Sequence, residues 1–103
     1  MKEQLENLEQ VLLQCGEPDL ALEVRRILQG SIQDFQAFLT SNELWGGAGS
    51  IADQAGLAQS ADERKRIELA LIDLGTKQIE QGLVNERTEM WVNAFSKWRW
   101  EGI

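Results

Sequence analysis

Apolar residues recur along this chain at the three- and four-residue intervals that are typical of amphipathic helices. The first such set consists of Leu5, Leu8, Leu12 and Cys15. It predicts a helix over residues 2–15 that Gly16 ends, and Pro18 suits the first turn of a second helix. The apolar face of that second helix consists of Leu20, Val24, Ile27 and Leu28. Gly30 closes it, and the short connection between the two helices predicts an antiparallel helical hairpin.

Three later helix starts carry the pattern of an N-terminal capping pair, a serine followed three residues on by an acidic residue. The pairs are Ser31 with Asp34, Ser50 with Asp53, and Ser60 with Glu63. The first predicts a helix whose apolar positions are Ile32, Phe35, Phe38 and Leu39. The second predicts a short helix that Gly56 stops, with apolar positions at Ile51, Ala52 and Ala55. The third opens the longest helical segment, from about residue 61 onward.

The segment from residue 61 has two apolar faces, separated by about 100° around the helix. One consists of Ile67, Ala70, Leu71 and Leu74, and the other of Ile72, Gly75, Ile79 and Gly82. The two glycines either let a neighbouring helix approach closely or mark breaks in the helix. We favour a break over residues 82–85 and a final helix to about residue 100. The pattern therefore predicts an all-α fold, a single compact domain over residues 1–103 built as a bundle of four to six helices.

A glycine-rich loop over residues 45–50 is the main departure from this helical pattern. Glycine-rich loops that lead into a helix N-terminus expose backbone N–H groups, which bind phosphate or carboxylate. A phosphate-binding loop of the Walker type needs a lysine after its last glycine, whereas Ser50 and Ile51 stand here. Asp53 would also compete for the same N–H groups. Two interpretations stay open, a tight turn before a capped helix, or a loop that binds a ligand or partner. The residues of that loop would be Trp45, Gly46, Gly47, Gly49, Ser50 and Asp53.

Aromatic residues are concentrated in the final predicted helix. Trp91, Phe95 and Trp98 follow one another at four- and three-residue steps, so they share one face, which indicates core packing. Trp100 falls on the opposite side of a continuous helix. It is either an exposed interface anchor beside Arg99 or the point where the chain folds back.

Negative charge is concentrated near the N-terminus. The formal net charge is −7, and residues 1–23 hold six acidic residues against Lys2 alone. Such a surface disfavours nucleic acids and anionic membranes and favours a basic protein partner, unless the charge serves solubility alone. Glu3, Glu6 and Glu9 are expected to form one solvated face of the first helix. The predicted partner surface consists of Glu3, Glu6, Glu9, Arg99 and Trp100.

The residue types present restrict the available chemistry. The chain has no histidine and one cysteine, which excludes a Ser-His or Cys-His nucleophilic pair and a Cys/His zinc site within one chain. Cys15 continues an apolar stripe and is expected in the core. We therefore predict no catalytic residues, no metal and no cofactor, and hence no enzyme. A single cysteine, a charged start and the lack of an apolar run of about 20 residues predict a cytoplasmic protein without a membrane span.

The run from Trp45 to Asp53, which follows a helical hairpin, resembles a motif in a group of small bacterial helical proteins. Their shared segment reads Gly-Gly-x-Gly-Ser-[Phe/Ile]-x-Asp, and the likeness covers residues 5–57. No activity is assigned to that group, so the resemblance implies a bacterial source and a shared helical fold. It implies no catalytic residue, and the tryptophan-rich second half lies outside it.

Three functions are compatible with these observations. The leading hypothesis is a protein–protein binding module without catalytic activity, of which immunity or antitoxin-like proteins are one version. The second is binding of a small anionic ligand at the loop from Gly46 to Ser50. The third is a homo-oligomeric structural protein that associates through the Gly75 and Gly82 face or through Trp100.

Overall fold

Six helices follow one another in a computed structural model that describes residues 1–54, 57 and 59–102. They are α1 (Lys2–Gln14), α2 (Pro18–Gln29), α3 (Ile32–Leu39), α4 (Ile51–Gln54), α5 (Ala61–Gln81) and α6 (Thr88–Glu101). The described residues contain no β-strand. The prediction of an all-α bundle of four to six helices is therefore confirmed.

The N-terminal hairpin forms as the glycine and proline positions predict. Gly16 takes a left-handed φ of 77°, and the N–H of Glu17 donates to the Leu12 carbonyl oxygen at 2.8 Å. This bond closes α1 in the manner of a Schellman motif, in which a glycine supplies the left-handed residue. Pro18 occupies the first position of α2. The chain thus reverses within three residues, and α1 packs on α2.

All three predicted capping pairs form. The Asp34 N–H donates to Ser31 Oγ at 3.0 Å, and the Asp53 N–H donates to Ser50 Oγ at 3.1 Å. Ser60 and Glu63 make the complete capping box at the start of α5. Each bond satisfies a backbone donor that a helix N-terminus otherwise leaves unpaired. The predicted stop at Gly56 and the predicted apolar position at Ala55 lie outside the described residues.

Helix α5 is central, because α1 and α6 both pack against it. Its first predicted apolar face is buried as expected, with Ile67, Ala70, Leu71 and Leu74 inside. The second predicted face is wrong at Ile79, which is exposed, while its neighbour Gln78 is fully buried. The break over residues 82–85 is confirmed, since Gly82 ends α5 with a φ of 72°.

Gly75 and Gly82 have different roles. Gly75 lets a neighbouring helix approach closely, whereas Gly82 marks the break in the helix. A Cβ atom at Gly75 would overlap Val92 Cγ2 and lie 3.1 Å from Trp45 Cη2. Helix α6 and the Trp45 indole therefore approach α5 more closely than any other residue would permit. Because residues of the same chain cover Gly75, this position is not open to a second copy. The prediction of an oligomer through the Gly75 and Gly82 face is therefore wrong at Gly75.

The hydrophobic core contains residues from all six helices and from the loop before α4. Cys15 is fully buried in it, as expected for a core residue. The largest fully buried side chain is that of Trp45. The loop that looked like an exposed site is therefore anchored in the interior by its own aromatic residue.

Candidate functional site

The Trp45 side chain is 0% exposed and belongs to a buried hydrogen-bond network. Its indole N–H donates to Gln78 Oε1 at 2.9 Å. The Gln78 amide in turn donates to the carbonyl oxygens of Leu39, at 2.7 Å, and Leu83, at 2.8 Å. The polar side-chain atoms of Trp45 and Gln78 thus all have hydrogen-bond partners, as their burial requires. Trp45 therefore joins the loop to α5 and does not form the wall of an open site.

Asn85 and Trp91 fix the same loop from the second half of the chain. The Asn85 amide donates to the carbonyl oxygens of Ser41 and Trp45, at 3.0 and 2.8 Å. The Trp91 indole N–H donates to the Gly46 carbonyl oxygen at 2.9 Å. These carbonyl groups lie outside regular helix and need partners when they are buried. The loop is thus held by side chains that follow it by about 40 residues.

The glycines and polar groups of the loop are occupied by contacts within the chain. A Cβ atom at Gly46 would overlap the Asn42 carbonyl oxygen, and one at Gly47 would lie 2.7 Å from Arg87 Nη1. The Gly49 N–H, one of the expected anion donors, donates to Asp53 Oδ2 at 3.1 Å. Ser50 is buried and caps α4. An anion at this loop would have to displace the Asp53 carboxylate, so the geometry favours the tight turn.

The predicted acidic face of α1 divides into exposed and buried parts. Glu3 and Glu6 are exposed, whereas Glu9 is buried, with its Oε2 atom 3.6 Å from Arg25 Nε. The expectation of one solvated face is therefore wrong at Glu9. Each three-residue step falls about 60° short of a full turn, so Glu9 lies about 120° around the helix from Glu3 and faces α2.

Glu3 contributes to a groove between α1 and α5 that the sequence did not predict. We define the acidic groove by Glu3, Asn7, Asp73, Lys77 and Glu80, which line a cavity of about 420 Å³. Asp73, Lys77 and Glu80 follow one another at four- and three-residue steps and so share one face of α5. Lys77 Nζ lies 3.9 Å from Glu80 Oε2. Three carboxylates thus face one ammonium group in this groove.

The aromatic residues of α6 are only partly in the core. Phe95 is buried, with its ring centroid 5.3 Å from that of Trp91 and 5.7 Å from that of Trp98. Trp98 is 37% exposed, so the expectation of core packing is wrong for it. Helix α6 continues to Glu101, and Trp100 is 92% exposed, as the anchor interpretation requires. Arg99, which the sequence places beside Trp100 on the predicted partner surface, lies against Glu68 of α5, and its side chain is only 12% exposed.

Glu68 is a buried carboxylate between two arginines. Its Oε1 atom lies 2.8 Å from Arg99 Nη2, and its Oε2 atom lies 3.6 Å from Arg64 Nε. Burial raises the pKa of Glu68 above the ordinary value of 4.5, and the charges of Arg99 and Arg64 offset part of that rise. Glu68 precedes Ile72 by four residues and Gly75 by seven, so the sequence places it on the second apolar face of the helix, and this is the one signal that could have indicated its burial.

Glu68 also lies in a cleft between α5 and α6. We define the α5–α6 cleft by Leu57, Arg64, Glu68, Trp91, Phe95 and Trp98, which line a cavity of about 320 Å³. Ala52 and Asp53 of α4 also line it. Buried carboxylates with a raised pKa that lie in clefts are candidates for functional sites, although structural ion pairs share that property.

The titration of Glu68 gives a testable pH dependence of stability. Because its pKa is raised, the folded protein holds the proton more tightly than the unfolded chain. The stability that Glu68 contributes is then fully present below pH 4.5, the ordinary pKa of the group. It is lost as the pH rises through the raised pKa of the folded protein. Relative to Glu68→Gln, which does not titrate, we expect the free energy of unfolding of the original protein to fall with rising pH in this window.

Urea denaturation of both proteins at several pH values between about 4 and 7 measures this difference. Glu6→Gln, at an exposed position on α1, is the control for removal of a carboxylate. A difference between the original protein and Glu68→Gln that stays constant or grows with rising pH would contradict the prediction.

Comparisons with protein-family models, with curated proteins and with solved structures give no match for this chain. The resemblance of residues 5–57 to small bacterial proteins therefore stays a prediction. Within residues 1–54, 57 and 59–102, no group of three or more potential ligand side chains is placed to hold a metal ion. Over the same residues, none of the helices is long and apolar enough to cross a bilayer.

Proposed function

We propose that this protein is a protein-binding module that recognises a basic partner through the acidic groove. The observation that carries this proposal is the placement of three exposed carboxylates, those of Glu3, Asp73 and Glu80, in one groove with Lys77 as the counter-charge. Neighbouring carboxylates repel one another in the free protein, and a basic partner relieves that repulsion on binding. The net charge of −7 adds long-range attraction for such a partner.

The proposed module acts by contact, without catalysis, in the bacterial cytoplasm. Immunity and antitoxin proteins are the class of module that fits best, since they bind a target protein and need no catalytic residues. Glu3 links the groove to the acidic N-terminal segment, which is the part of the chain that the sequence predicts to contact a basic partner. Asp73 and Glu80 extend the contact to α5, the helix on which α1 packs.

A capture experiment with matched variants tests this proposal. The groove variant is Glu3→Gln/Asp73→Asn/Glu80→Gln. The control variant, Glu23→Gln/Glu43→Gln/Glu86→Gln, removes the same charge from exposed positions elsewhere. Each protein is tagged and used to capture partners from the native host, at low salt and at about 1 M salt, where the screening length falls to about 3 Å.

We expect the original protein and the control variant to capture the same basic partner at low salt, and to lose it at high salt. The groove variant should bind that partner about 3- to 150-fold more weakly, since three exposed ion pairs contribute about 0.2–1 kcal/mol each. Equal binding by the groove and control variants would exclude the acidic groove as the contact. Binding that is insensitive to salt would exclude a basic partner.

The exposed Trp100 indole favours a second candidate, a homo-oligomer that buries this residue. Exposed tryptophans are common anchors of protein interfaces. Sedimentation of the original protein and of Trp100→Ser distinguishes the two candidates. An oligomer that Trp100→Ser dissociates would support self-association, and a monomer in both cases would exclude it.

A further inference from the structure

The walls of the α5–α6 cleft are aromatic and partly open to solvent. Trp91, Phe95 and Trp98 form one side of the cleft, and Leu57, which is 75% exposed, lies at its edge. The cavity volume of about 320 Å³ falls within the range of small-ligand sites, about 300–1,000 Å³. Large apolar side chains beside an open cavity are costly to leave in water, and a flat apolar molecule would cover them.

The polar end of the cleft is formed by Arg64 and Glu68, and Arg99 reaches Glu68 from α6. Arg99 lies 2.8 Å from one Glu68 oxygen, and Arg64 lies 3.6 Å from the other. Arg99 is therefore the close partner of Glu68, whereas the Arg64 contact is longer than a hydrogen bond and the Arg64 side chain is 37% exposed. A guanidinium group has five N–H donors, and the buried Arg64 Nε atom has no hydrogen-bond partner among the residues that the structure describes.

The carboxylate of Asp53, which also lines the cleft, already has a partner within its own loop. Its Oδ2 atom accepts the Gly49 N–H at 3.1 Å, in the bond that closes the turn before α4. A cationic ligand would have to compete with this bond for Asp53 and would be repelled by the Arg64 guanidinium group. A carboxylate ligand meets a guanidinium fork whose planar geometry matches its own.

We propose that the α5–α6 cleft binds a small aromatic carboxylate, with its ring against Trp91, Phe95 and Trp98 and its carboxylate on Arg64. This site is separate from the acidic groove and does not depend on the function proposed for it. It also differs from the glycine-rich loop, whose N–H donor at Gly49 is occupied. Glu68 is a positioning residue here, because it holds the Arg64 side chain at the end of the cleft.

Three matched probes with one ring system test the ligand class. They are naphthalene-2-carboxylate, 2-naphthylmethanol and 2-naphthylmethylamine, which carry a negative, a neutral and a positive group. Calorimetric titration should give at least tenfold tighter binding of the carboxylate than of the alcohol, and the weakest binding of the amine. At tenfold excess over its Kd, the carboxylate should raise the melting temperature by about 5–10 °C.

Variants of the cleft test the assigned roles. Arg64→Gln should weaken carboxylate binding at least tenfold and abolish the preference over the alcohol. Arg64→Lys, which keeps the charge and loses the fork, should give an intermediate affinity. Lys65→Gln, the matched control on the same helix turn, should stay within twofold of the original protein. Trp98→Ala should weaken all three probes alike.

Several results would overturn the proposal. These are no binding of any probe, equal affinity for the three, or tighter binding of the amine, which would indicate a cation site. An equal loss in Lys65→Gln and Arg64→Gln would show that net charge alone is responsible. Circular dichroism of each variant shows whether it is folded, and Arg64→Lys keeps the test valid if Arg64→Gln does not fold.

Discussion

Alanine in place of Trp45 is expected to lower the free energy of unfolding by about 3–5 kcal/mol. The indole is 0% exposed, packs against Gly75 of α5, and donates its N–H to Gln78. Its removal leaves a large cavity and also leaves the Gln78 amide oxygen without its donor. Domains of this size are stable by only about 5–15 kcal/mol, so the variant should lie near the limit of folding.

Urea denaturation followed by circular dichroism measures this effect, and two further variants separate its causes. Trp45→Phe keeps most of the ring and removes the N–H, so it should account for about 1–3 kcal/mol of the loss. Trp100→Ala is the matched control, because the same residue type is 92% exposed on α6. Its effect should stay within about 0.5 kcal/mol. Similar losses for Trp45→Ala and Trp100→Ala would contradict the buried position of Trp45.

Local signals predicted the helices of this protein well, because each is decided within a few residues. A serine and an acidic residue three positions apart satisfy a helix N-terminus regardless of the rest of the chain, and Ser31, Ser50 and Ser60 all do so. Gly16 and Gly82 adopt left-handed backbone conformations where the sequence predicts helix ends. These features depend on backbone conformation and not on tertiary contacts, so a single sequence is enough to find them.

The partners of the buried polar residues could not be predicted in this way. Gln78 follows Leu74 by four residues and so continues the buried face of α5 as a polar residue. Its partner Trp45 lies 33 residues away along the chain, and the Leu39 carbonyl lies 39 residues away. Burial of a polar side chain becomes favourable only when such partners are in place. Ile79 was expected inside because it is apolar and shares a helix face with Ile72, yet it is exposed. The periodicity of apolar residues takes only hydropathy into account. It contains no information about the hydrogen bonds that make burial of the Gln78 amide favourable.

The candidate sites depend on how helices pack, which explains why the sequence identified only parts of them. Glu3 was predicted as a contact residue, but Asp73 and Glu80 join it only because α1 packs on α5. The α5–α6 cleft likewise requires α6 to bring Trp98 and Arg99 to Glu68. In both cases the residue types were visible in the sequence, whereas their proximity was not.

Alanine in place of Gly75 should destabilise the protein by about 1–3 kcal/mol, although alanine favours helices over glycine by about 1 kcal/mol. A Cβ atom at this position would overlap Val92 Cγ2 and press on the Trp45 ring at 3.1 Å. The steric cost of separating α6 from α5 therefore exceeds the gain in helix propensity. Thermal and urea denaturation of Gly75→Ala measure the net effect.

A second substitution tests the cause of this destabilisation, because Val92→Ala removes the Cγ2 atom that a Cβ atom at Gly75 would overlap. Val92→Ala alone should be destabilising, because it deletes buried methyl groups. Combined with Gly75→Ala, it should recover stability, with a coupling energy of about 1–3 kcal/mol in a double-mutant cycle. Gly82→Ala is the contrasting control, since its cost arises from the φ of 72° and should add to that of Val92→Ala without coupling. If Gly75→Ala and Val92→Ala are also additive, the close approach of α5 and α6 does not explain Gly75. Coupling confined to Gly75 would show that this glycine determines how near α6, and with it Trp98 and Arg99, can come to Glu68.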